Sequence, residues 1–451
     1  MSSSSSAKPP VLSMQVLSAK EHPVSQDLLS PNALKVLHRL NQAGYEAYLV
    51  GGCVRDIFLG QRPKDFDVAT SATPEQIKRL FRNCRIIGRR FKLAHIMFGR
   101  EIIEVATFRG PHQNTDDNKN LAKQDGHGQL VRDNVYGTLE QDAERRDFTF
   151  NAMYYCAADN TVRDFANGVT AIKQKRLQII GDPETRYRED PVRMLRAVRF
   201  AAKLNMQIDE ASTTQIKQLG YLLENIPPAR LFEEVLKLFL SGQGLATYHK
   251  MVEFGLFERL FPQTGPLVKV ADSRETRFIE RVLINTDNRI NNGQRVTPAF
   301  LYAALLWYPI EEFCEKLKTE SNLSPLDAFN IACSEVLHRQ LQRVMIPKRF
   351  SITMREIWTF QSRLSRRYGR RAYQMLAHPK FRAAYDFLLL RGEIEGGELF
   401  ELAEWWTEFQ DADSDTRKLM LDKLHKQPGA AKNPRRRRRP KKKTNTKSSS
   451  L

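Results

Sequence analysis

The sequence predicts an α+β protein with a small mixed-sheet head that carries helices, an all-helical neck and body, and a disordered basic C-terminal tail. Short runs of β-branched and aromatic residues between glycine turns are concentrated before residue 165. Apolar residues at helical spacing dominate from there to residue 425. The segment PRRRRRPKKKTNTK near the C-terminus has no apolar residue to bury. We therefore predict these domains: a head at 29–165, a neck at 166–230, a body at 231–425 and a tail at 426–451.

Composition limits the class of protein. A chain of 451 residues with 41% hydrophobic residues can form about two or three domains with apolar cores. The formal net charge of +19 favours a polyanionic partner, either nucleic acid or an acidic surface. The five cysteines lack CxxC spacing, which argues against a zinc site or a disulfide framework and predicts a reducing, cytoplasmic location. No apolar run is long enough to be a transmembrane segment.

The first element in chain order is a polar segment. Residues 1–28 open with MSSSSSAKPP, which lacks the apolar core of a secretory signal, and we predict that they are disordered. Ser30 and Pro31 then cap and start a helix that ends at Gly44.

The next stretch combines a strand with a glycine turn. Tyr45–Val50 has the composition of a strand and leads into Gly51 and Gly52, where the backbone can turn sharply and approach a ligand. Arg55 follows in a short helix that Gly60 closes, so backbone N–H groups and a guanidinium converge where an anion can bind. A pair of glycines after a strand is more often an ordinary turn, and this signal is weak by itself.

Two acids follow this turn within one short unit. Because residues i and i+2 of a strand share a face, Asp65 and Asp67 are predicted to project together while Phe66 and Val68 face the core. Two neighbouring carboxylates repel each other unless a cation lies between them, and Mg²⁺ binds through one or two carboxylates plus substrate phosphates. The alternative is a solvated turn with two acids. The glycine turn just upstream favours the metal site.

The remainder of the head is predicted to complete the sheet. A helix at 74–81 begins with the cap Thr73, and strands follow at 84–87, 91–98 and 101–108. Glu104 lies on the last of these strands, which we expect to neighbour the acid pair. It either orients a metal-bound water or completes the acidic cluster, or it forms a salt bridge with an arginine. Residues 111–130 are polar and unpatterned, which predicts a mobile loop. Three basic residues beside the second strand either contact phosphates or are solvated edge charges: Arg89, Arg90 and Lys92.

Charged residues precede a buried run near the end of the head. An element that begins at Thr138 contains Arg145, Arg146 and Asp147, and the apolar segment FTFNAMYY follows it directly. Neighbouring arginine and aspartate side chains are more often structural ion pairs than catalytic groups.

The segment 188–204, REDPVRMLRAVRFAAKL, predicts one helix that Asp190 caps. Arg193, Arg196 and Arg199 recur every three residues and form a basic ridge on it. A carboxylate at the start of a helix beside a planar guanidinium can recognise the edge of a base, although a capped helix with this charge pattern is also common.

The tail is predicted to be an electrostatic arm. From Gln427 onward it contains ten positive charges and no acid: Lys432, Arg435 to Arg439, Lys441 to Lys443 and Lys447. RNA is the natural partner for such an arm, with a protein or an anionic membrane surface as alternatives.

Four motifs together resemble one family. GGCVRD, KDFDVAT, RRDFTFNAMYY and REDPVRMLRAVRFAAKL look like those of the class II nucleotidyltransferases, which include the bacterial polynucleotide adenylyltransferases, or poly(A) polymerases, and the tRNA CCA-adding enzymes. The segment GRRFKLAHIMFGREIIEVATFRG and the basic tail are more similar to the adenylyltransferases. The motifs follow the order of the family and span most of the first half of the chain.

The resemblance implies template-independent addition of AMP from ATP to RNA 3′ ends, which promotes RNA decay in bacteria, by a two-Mg²⁺ mechanism. Addition of CCA to tRNA is the alternative, and an RNA-binding protein with an inactive head is the second. Possible partners are RNA-decay or RNA-chaperone proteins.

The family motifs also imply a role for each matched residue. Asp65 and Asp67 are implied to hold the metal ions, with Asp147 assisting catalysis. The implied nucleotide contacts are Gly51, Gly52, Arg55 and Arg146 for the triphosphate, Asp190 with Arg193 for the base, and Arg196 for a phosphate.

Overall fold

The structure is a computed structural model that describes residues 14–88, 92–110, 122–124, 130–133 and 135–426. These residues form two compact units that divide between Met354 and Arg355. The chain is α+β, as predicted: a mixed sheet forms in the first part of the chain, and helices follow it. No described helix is both long and apolar enough to cross a membrane.

The strands of the first unit are β1 Gln15–Leu17, β2 Ala47–Val50, β3 Asp67–Thr70, β4 Cys84–Ile87, β5 Leu93–Phe98, β6 Glu101–Thr107, β7 Ala122–Gln124, β8 Leu130–Asp133, β9 Met153–Cys156, β10 Thr161–Asp164, β11 Arg176–Leu177 and β12 Gln207–Ile208. Among the described residues, eight strands form one sheet in the order β1-β10-β9-β2-β3-β6-β5-β4. Neighbouring strands are antiparallel except β3 and β6, which are parallel. Because of this register, Asp67 lies opposite Val50 on one side and Glu104 on the other.

The helices of the first unit are α1 Pro31–Gln42, α2 Gly52–Phe58, α3 Pro74–Leu80, α4 Leu139–Glu144, α5 Gly168–Lys173, α6 Pro183–Glu189, α7 Val192–Leu204, α8 Glu210–Leu219, α9 Pro228–Phe239, α10 Gly244–Glu253, α11 Phe257–Leu260, α12 Arg274–Asn291, α13 Pro298–Leu305, α14 Trp307–Glu320 and α15 Pro325–Arg343. Helix α16, Lys348–Leu364, contains the division between the units. The second unit continues with α17 Arg370–Leu376, α18 Phe381–Glu395, α19 Gly397–Asp411 and α20 Ser414–Lys426.

The predicted helix starts at Ser30 and Thr73 are confirmed. The Ser30 hydroxyl accepts hydrogen bonds from two amides of α1. Thr73 and Thr138 each form a capping box, the first with Gln76 and the second with Gln141. These local signals are readable from the sequence because each cap satisfies amides within its own first turn.

Three predictions about local structure are wrong. The segment 14–28 is ordered, because β1 pairs with β10 and buries Leu17; residues 1–13 lie outside the described residues. The helix predicted at 188–204 is broken between α6 and α7, because Pro191 favours an extended conformation at Asp190, which has φ −148° and ψ 91°. Within the predicted loop 111–130, the described residues include β7 and the start of β8, which pair antiparallel.

The domain prediction for the body also needs correction. The helical body was predicted as one domain, yet the chain divides into separate units at residues 354 and 355. The second unit has its own apolar core, in which Phe381, Tyr385 and Trp406 are buried. Helical periodicity does not reveal this division, because the apolar pattern continues across it within α16.

Candidate active site

The glycine turn after β2 brings two charged groups together. Gly51 has φ +75° and ψ −124° and is the N-cap of α2, a conformation that glycine adopts without strain. A Cβ atom at Gly51 would lie 3.6 Å from Nη1 of Arg146 and 4.0 Å from Oδ2 of Asp67. The backbone of this turn, which has no Cβ atom at residue 51, therefore faces a guanidinium and a carboxylate. A triphosphate site with a metal ion requires both groups.

The acid pair is only partly placed as predicted. Phe66 and Val68 are buried, which confirms their predicted orientation. Asp67 is the first residue of β3, and Asp65 lies before the strand, so the prediction that both acids belong to one strand is wrong. Asp65 is exposed and remains near enough to Asp67 to raise the pKa of its carboxyl group.

Asp67 is electrostatically strained as a carboxylate. Partial burial, followed by repulsion from Glu104, raises the pKa of Asp67 to about 6, while Arg146 and Arg55 oppose that rise. The side chain is still exposed to solvent. An accessible group whose negative charge is poorly compensated is a suitable ligand for a cation.

Glu104 is the acid that the sequence left undecided. It lies opposite Asp67 on the parallel strand β6, and its described ion-pair partner is His95 on β5 rather than an arginine. Nε2 of His95 lies 3.3 Å from Oε1 of Glu104. Placement of Glu104 depends on a parallel register between distant strands, which the sequence does not specify.

Arg146 is held rigidly by two buried side chains. Its Nε donates to the hydroxyl of Tyr154 at 2.7 Å, and its Nη2 donates to Oδ2 of Asp142 at 3.0 Å. The Tyr154 hydroxyl donates to the same Asp142 oxygen at 2.7 Å. Although burial alone would lower it, these neighbours raise the pKa of Arg146, which is therefore a permanent cation. Sequence reasoning missed the roles of Tyr154 and Asp142.

Asp147 is occupied by a different set of partners. One carboxylate oxygen accepts from the Phe148 amide at 2.8 Å and from Nδ2 of Asn151 at 2.9 Å. The other accepts from Nε and Nη2 of Arg196 at 2.7 and 2.5 Å. Burial acts to raise the pKa of Asp147, but Arg196 and Asn151 hold it well below its usual range. These bonds place Asp147 and Arg196 in a partly buried ion pair that braces the segment after Arg146.

Arg55 belongs to the same bracing network. It is 4% exposed, and its guanidinium donates to Oδ1 of Asp56 at 2.9 and 2.6 Å and to Oδ1 of Asn151 at 2.9 Å. A Cβ at Gly52 would lie 3.7 Å from its Nη2. The structure thus places Arg55 behind the glycine turn, where it supports α2, and leaves Arg146 as the cation facing Gly51.

The side chains of Asp190 and Arg193, which were predicted to select the base, bond to different residues. Asp190 accepts from Nη2 of Arg230 at 2.7 Å and from the Val192 amide at 3.3 Å. Arg193 donates from Nη1 to Glu189 at 2.9 Å. Arg230, near the start of α9, was not predicted, because it is distant from Asp190 in the sequence.

The basic residues beside β5 are only partly described. Lys92 forms a salt bridge with Glu75 at 2.8 Å, in which both side chains are largely exposed. Arg89 and Arg90 lie outside the described residues, as does the tail from residue 427 onward.

The fold defines the class of protein. The chain is similar to the solved structure of the Bacillus stearothermophilus CCA-adding enzyme in complex with CTP, with a TM-score of 0.57 and 24% identity over 84% of this chain and 82% of that chain. At this identity the likeness shows the fold, which is that of the CCA-adding nucleotidyltransferases.

Sequence comparison defines the family within that class. Residues 47–178 match the model of the poly A polymerase head domain, residues 205–267 that of a probable RNA and SrmB-binding site of polymerase A, and residues 321–443 that of the polymerase A arginine-rich C-terminus. Poly(A) polymerase I of Salmonella typhimurium is 53% identical over 95% of this chain and 92% of its own length. A CCA-adding enzyme of Lactococcus lactis is 36% identical over 47% of this chain and 50% of its own length. The chain belongs to the bacterial poly(A) polymerase I family.

Proposed function

We propose that this chain is a polynucleotide adenylyltransferase, which adds AMP from ATP to RNA 3′ ends without a template. The observation that carries the proposal is the meeting of Asp67 and Arg146 at the side-chain-free turn of Gly51. A nucleotidyl transfer needs a cation and a phosphate held side by side, and this turn presents one ligand for each. The likeness to poly(A) polymerase I over nearly the whole chain supports adenylyl transfer to RNA.

The donor set fits a divalent cation, which nucleotidyltransferases generally use, and we propose Mg²⁺. Asp67 and the nearby acids Asp65 and Glu104 offer carboxylate oxygens, and the raised pKa of Asp67 reflects negative charge that a cation would neutralise. No cluster of three metal-ligating side chains occurs in the part of the chain that the structure describes. Mg²⁺ is bound by one or two carboxylates together with substrate phosphates. The chemistry that such an ion supplies is activation of the RNA 3′-hydroxyl and charge neutralisation of the departing pyrophosphate.

The side chains of the protein bind and orient the reactants. Arg146, fixed by Asp142 and Tyr154, presents Nη1 to the triphosphate beside Gly51. The transfer forms a bond between the RNA 3′ oxygen and the α-phosphorus of ATP and breaks the bond to pyrophosphate. Because Arg146 is positioned before the substrate arrives, it contributes charge without reorganisation.

The remaining predicted residues have supporting or selective roles. The network of Arg55, Asn151, Asp147 and Arg196 connects α2 to α7, and we assign to it the rigidity of the triphosphate site. Asp190 and Arg193 stay our candidates for recognition of adenine. The segment 205–267 is our candidate for contact with RNA-decay or RNA-chaperone proteins.

One assay with all four nucleotides tests the activity. The full chain is incubated with Mg²⁺, each nucleoside triphosphate in turn, and either an unstructured RNA or a tRNA that lacks its CCA end, and the extended 3′ ends are sequenced. We expect runs of adenosine on both RNAs. Ordered incorporation of CTP onto the tRNA would instead assign the chain to CCA addition.

A variant separates catalysis from RNA binding. Asp67→Ala is expected to abolish AMP incorporation with folding intact, measured by circular dichroism, and Asp27→Ala on an exposed turn is the matched control. If the wild-type chain binds RNA but incorporates no nucleotide, the alternative of an RNA-binding protein with an inactive head is correct.

A further inference from the structure

A buried aromatic ring on α7 is surrounded by cations. Phe200 is 6% exposed, and three guanidinium groups lie against its ring. Their central carbons are 4.4 Å from the ring centroid for Arg199, 5.0 Å for Arg55 and 5.4 Å for Arg196. Cation–π attraction offsets part of the repulsion among them but does not neutralise their charge.

Among the described residues, two of these three guanidinium groups have a carboxylate partner. Arg55 is paired with Asp56 at 2.6 Å and Arg196 with Asp147 at 2.5 Å. Arg199 forms no ion pair or hydrogen bond with any described residue, and its Nε is buried without an acceptor. A cation that has no carboxylate partner among the described residues favours an anionic ligand at the part of its guanidinium that solvent reaches.

Lys203 adds a second uncompensated charge. It lies one turn beyond Arg199 on the same face of α7, and no ion pair of its amino group occurs among the described residues. Burial, together with nearby cations that include Lys64, lowers the pKa of its amino group, while Asp56 opposes that change. Glu234, an acid near Arg199, is paired with Lys237 at 2.9 Å.

The cluster adjoins the glycine turn through Arg55. The Cβ positions of the two glycines face different guanidinium groups, since Gly51 faces Arg146 and Gly52 faces Arg55, whose guanidinium lies against Phe200. Arg199 and Lys203 are partly exposed, so an anion in solution can reach them. Arg146 is the cation that we propose for the triphosphate, which leaves Arg199 and Lys203 for another phosphate.

We infer that Arg199 and Lys203 bind a backbone phosphate of the RNA close to its 3′ end. The inference rests on the proposed function, which requires an RNA 3′ end to reach Asp67. A phosphate oxygen supplies the acceptor that the Arg199 guanidinium lacks, and Lys203 adds charge to the same contact. This site holds the RNA by its backbone and is therefore independent of base sequence.

The test uses the full chain with Arg199→Gln, Lys203→Gln and the double substitution. Lys35→Gln is the matched control, because it removes one exposed positive charge on α1, outside the segment that matches the RNA-binding model. Thermal melts establish that each variant folds. The KM for a short oligoadenylate is expected to rise about tenfold in the double variant, as loss of one charge-assisted contact predicts, with kcat and the KM for ATP unchanged. In equilibrium binding without ATP, the slope of log K against log salt is expected to fall by about 0.7 for the lost phosphate contact.

Two results would overturn the inference. One is wild-type RNA affinity and salt slope in a folded Lys203→Gln or Arg199→Gln variant. The other is a raised KM for ATP with an unchanged KM for RNA, which would assign the site to the nucleotide. Failure of the proposed function is seen separately, as absence of AMP incorporation by the wild-type chain, because RNA binding is measured without catalysis.

Discussion

The negative charge of Asp67 should lower the free energy of unfolding of the protein. Its pKa of about 6 lies about two pH units above that of an unfolded aspartate, and each unit corresponds to about 1.4 kcal/mol. Because the side chain is exposed, solvent screens much of this cost, and we expect about 1 kcal/mol to remain at pH 7. Asp67→Asn removes the charge at nearly constant shape. It should therefore stabilise the folded chain while abolishing AMP incorporation.

The pH dependence gives this prediction its sign. Above pH 6 the carboxyl group is ionised in both states, and the folded state carries the full cost. As the pH falls from about 6 to about 4, the folded wild type binds a proton before the unfolded chain does and becomes more stable relative to the variant. The advantage of Asp67→Asn should thus be largest near pH 7 and vanish near pH 4.

Thermal melts in EDTA at several pH values measure this effect. We expect the first-unit transition of Asp67→Asn to rise by about 2 °C at pH 7, and Asp27→Asn to leave it unchanged. Added Mg²⁺ should stabilise the wild type more than the variant, since the cation neutralises the charge that the variant lacks. Lower stability of Asp67→Asn at pH 7, or an equal gain at pH 4.5, would refute the electrostatic account of the site.

Three further substitutions examine the surroundings of Asp67. Tyr154→Phe removes the hydroxyl that bonds to Arg146, so the free energy of unfolding measured in urea should fall by about 1–2 kcal/mol and the KM for ATP should rise. An unchanged KM would mean that the position of Arg146 does not depend on Tyr154. Gly51→Ala places a side chain at φ +75°, with a strain of about 1–3 kcal/mol, and AMP incorporation should fall at least tenfold. Gly60→Ala, also at positive φ but in open space, is the control and should lower the stability without lowering AMP incorporation. Arg230→Met frees Asp190 from its salt bridge and should increase misincorporation of other nucleotides relative to ATP, measured by sequencing of the extended ends; unaltered selectivity would separate Asp190 from base recognition.

Features that depend on neighbouring residues were predictable from the sequence. The caps Ser30 and Thr73 predicted two helix starts, because each satisfies amides in its own first turn. The glycine turn was predictable because only glycine adopts the backbone angles of residue 51 easily. The burial of Phe66 followed from strand periodicity.

Features that depend on distant pairings were predictable only in part. We expected the strand of Glu104 to neighbour the acid pair, which the structure confirms, but the parallel register that places Glu104 opposite Asp67 was not predictable. The sequence does not distinguish an arginine that faces a phosphate from one that is paired within the fold, and in this structure Arg55 bonds to Asn151 and Arg196 to Asp147. That distinction depends on which carboxylates lie nearby after folding, and Asp147 and Asp56 occupy both guanidinium groups.

The two sides of the glycine turn carry opposite charge imbalances. On the Asp67 side, neighbouring acids raise the pKa of a carboxyl group that Arg146 compensates only in part. On the Phe200 side, Arg199 has no described anionic partner. A folded protein does not gain stability from either imbalance, and each would be removed by a different reactant: a divalent cation on the first side and an RNA phosphate on the second. Binding of one reactant leaves the other charge uncompensated, so Mg²⁺ and RNA should each stabilise the chain to thermal unfolding. Asp67→Asn should remove the stabilisation by Mg²⁺, and Lys203→Gln should weaken the stabilisation by RNA.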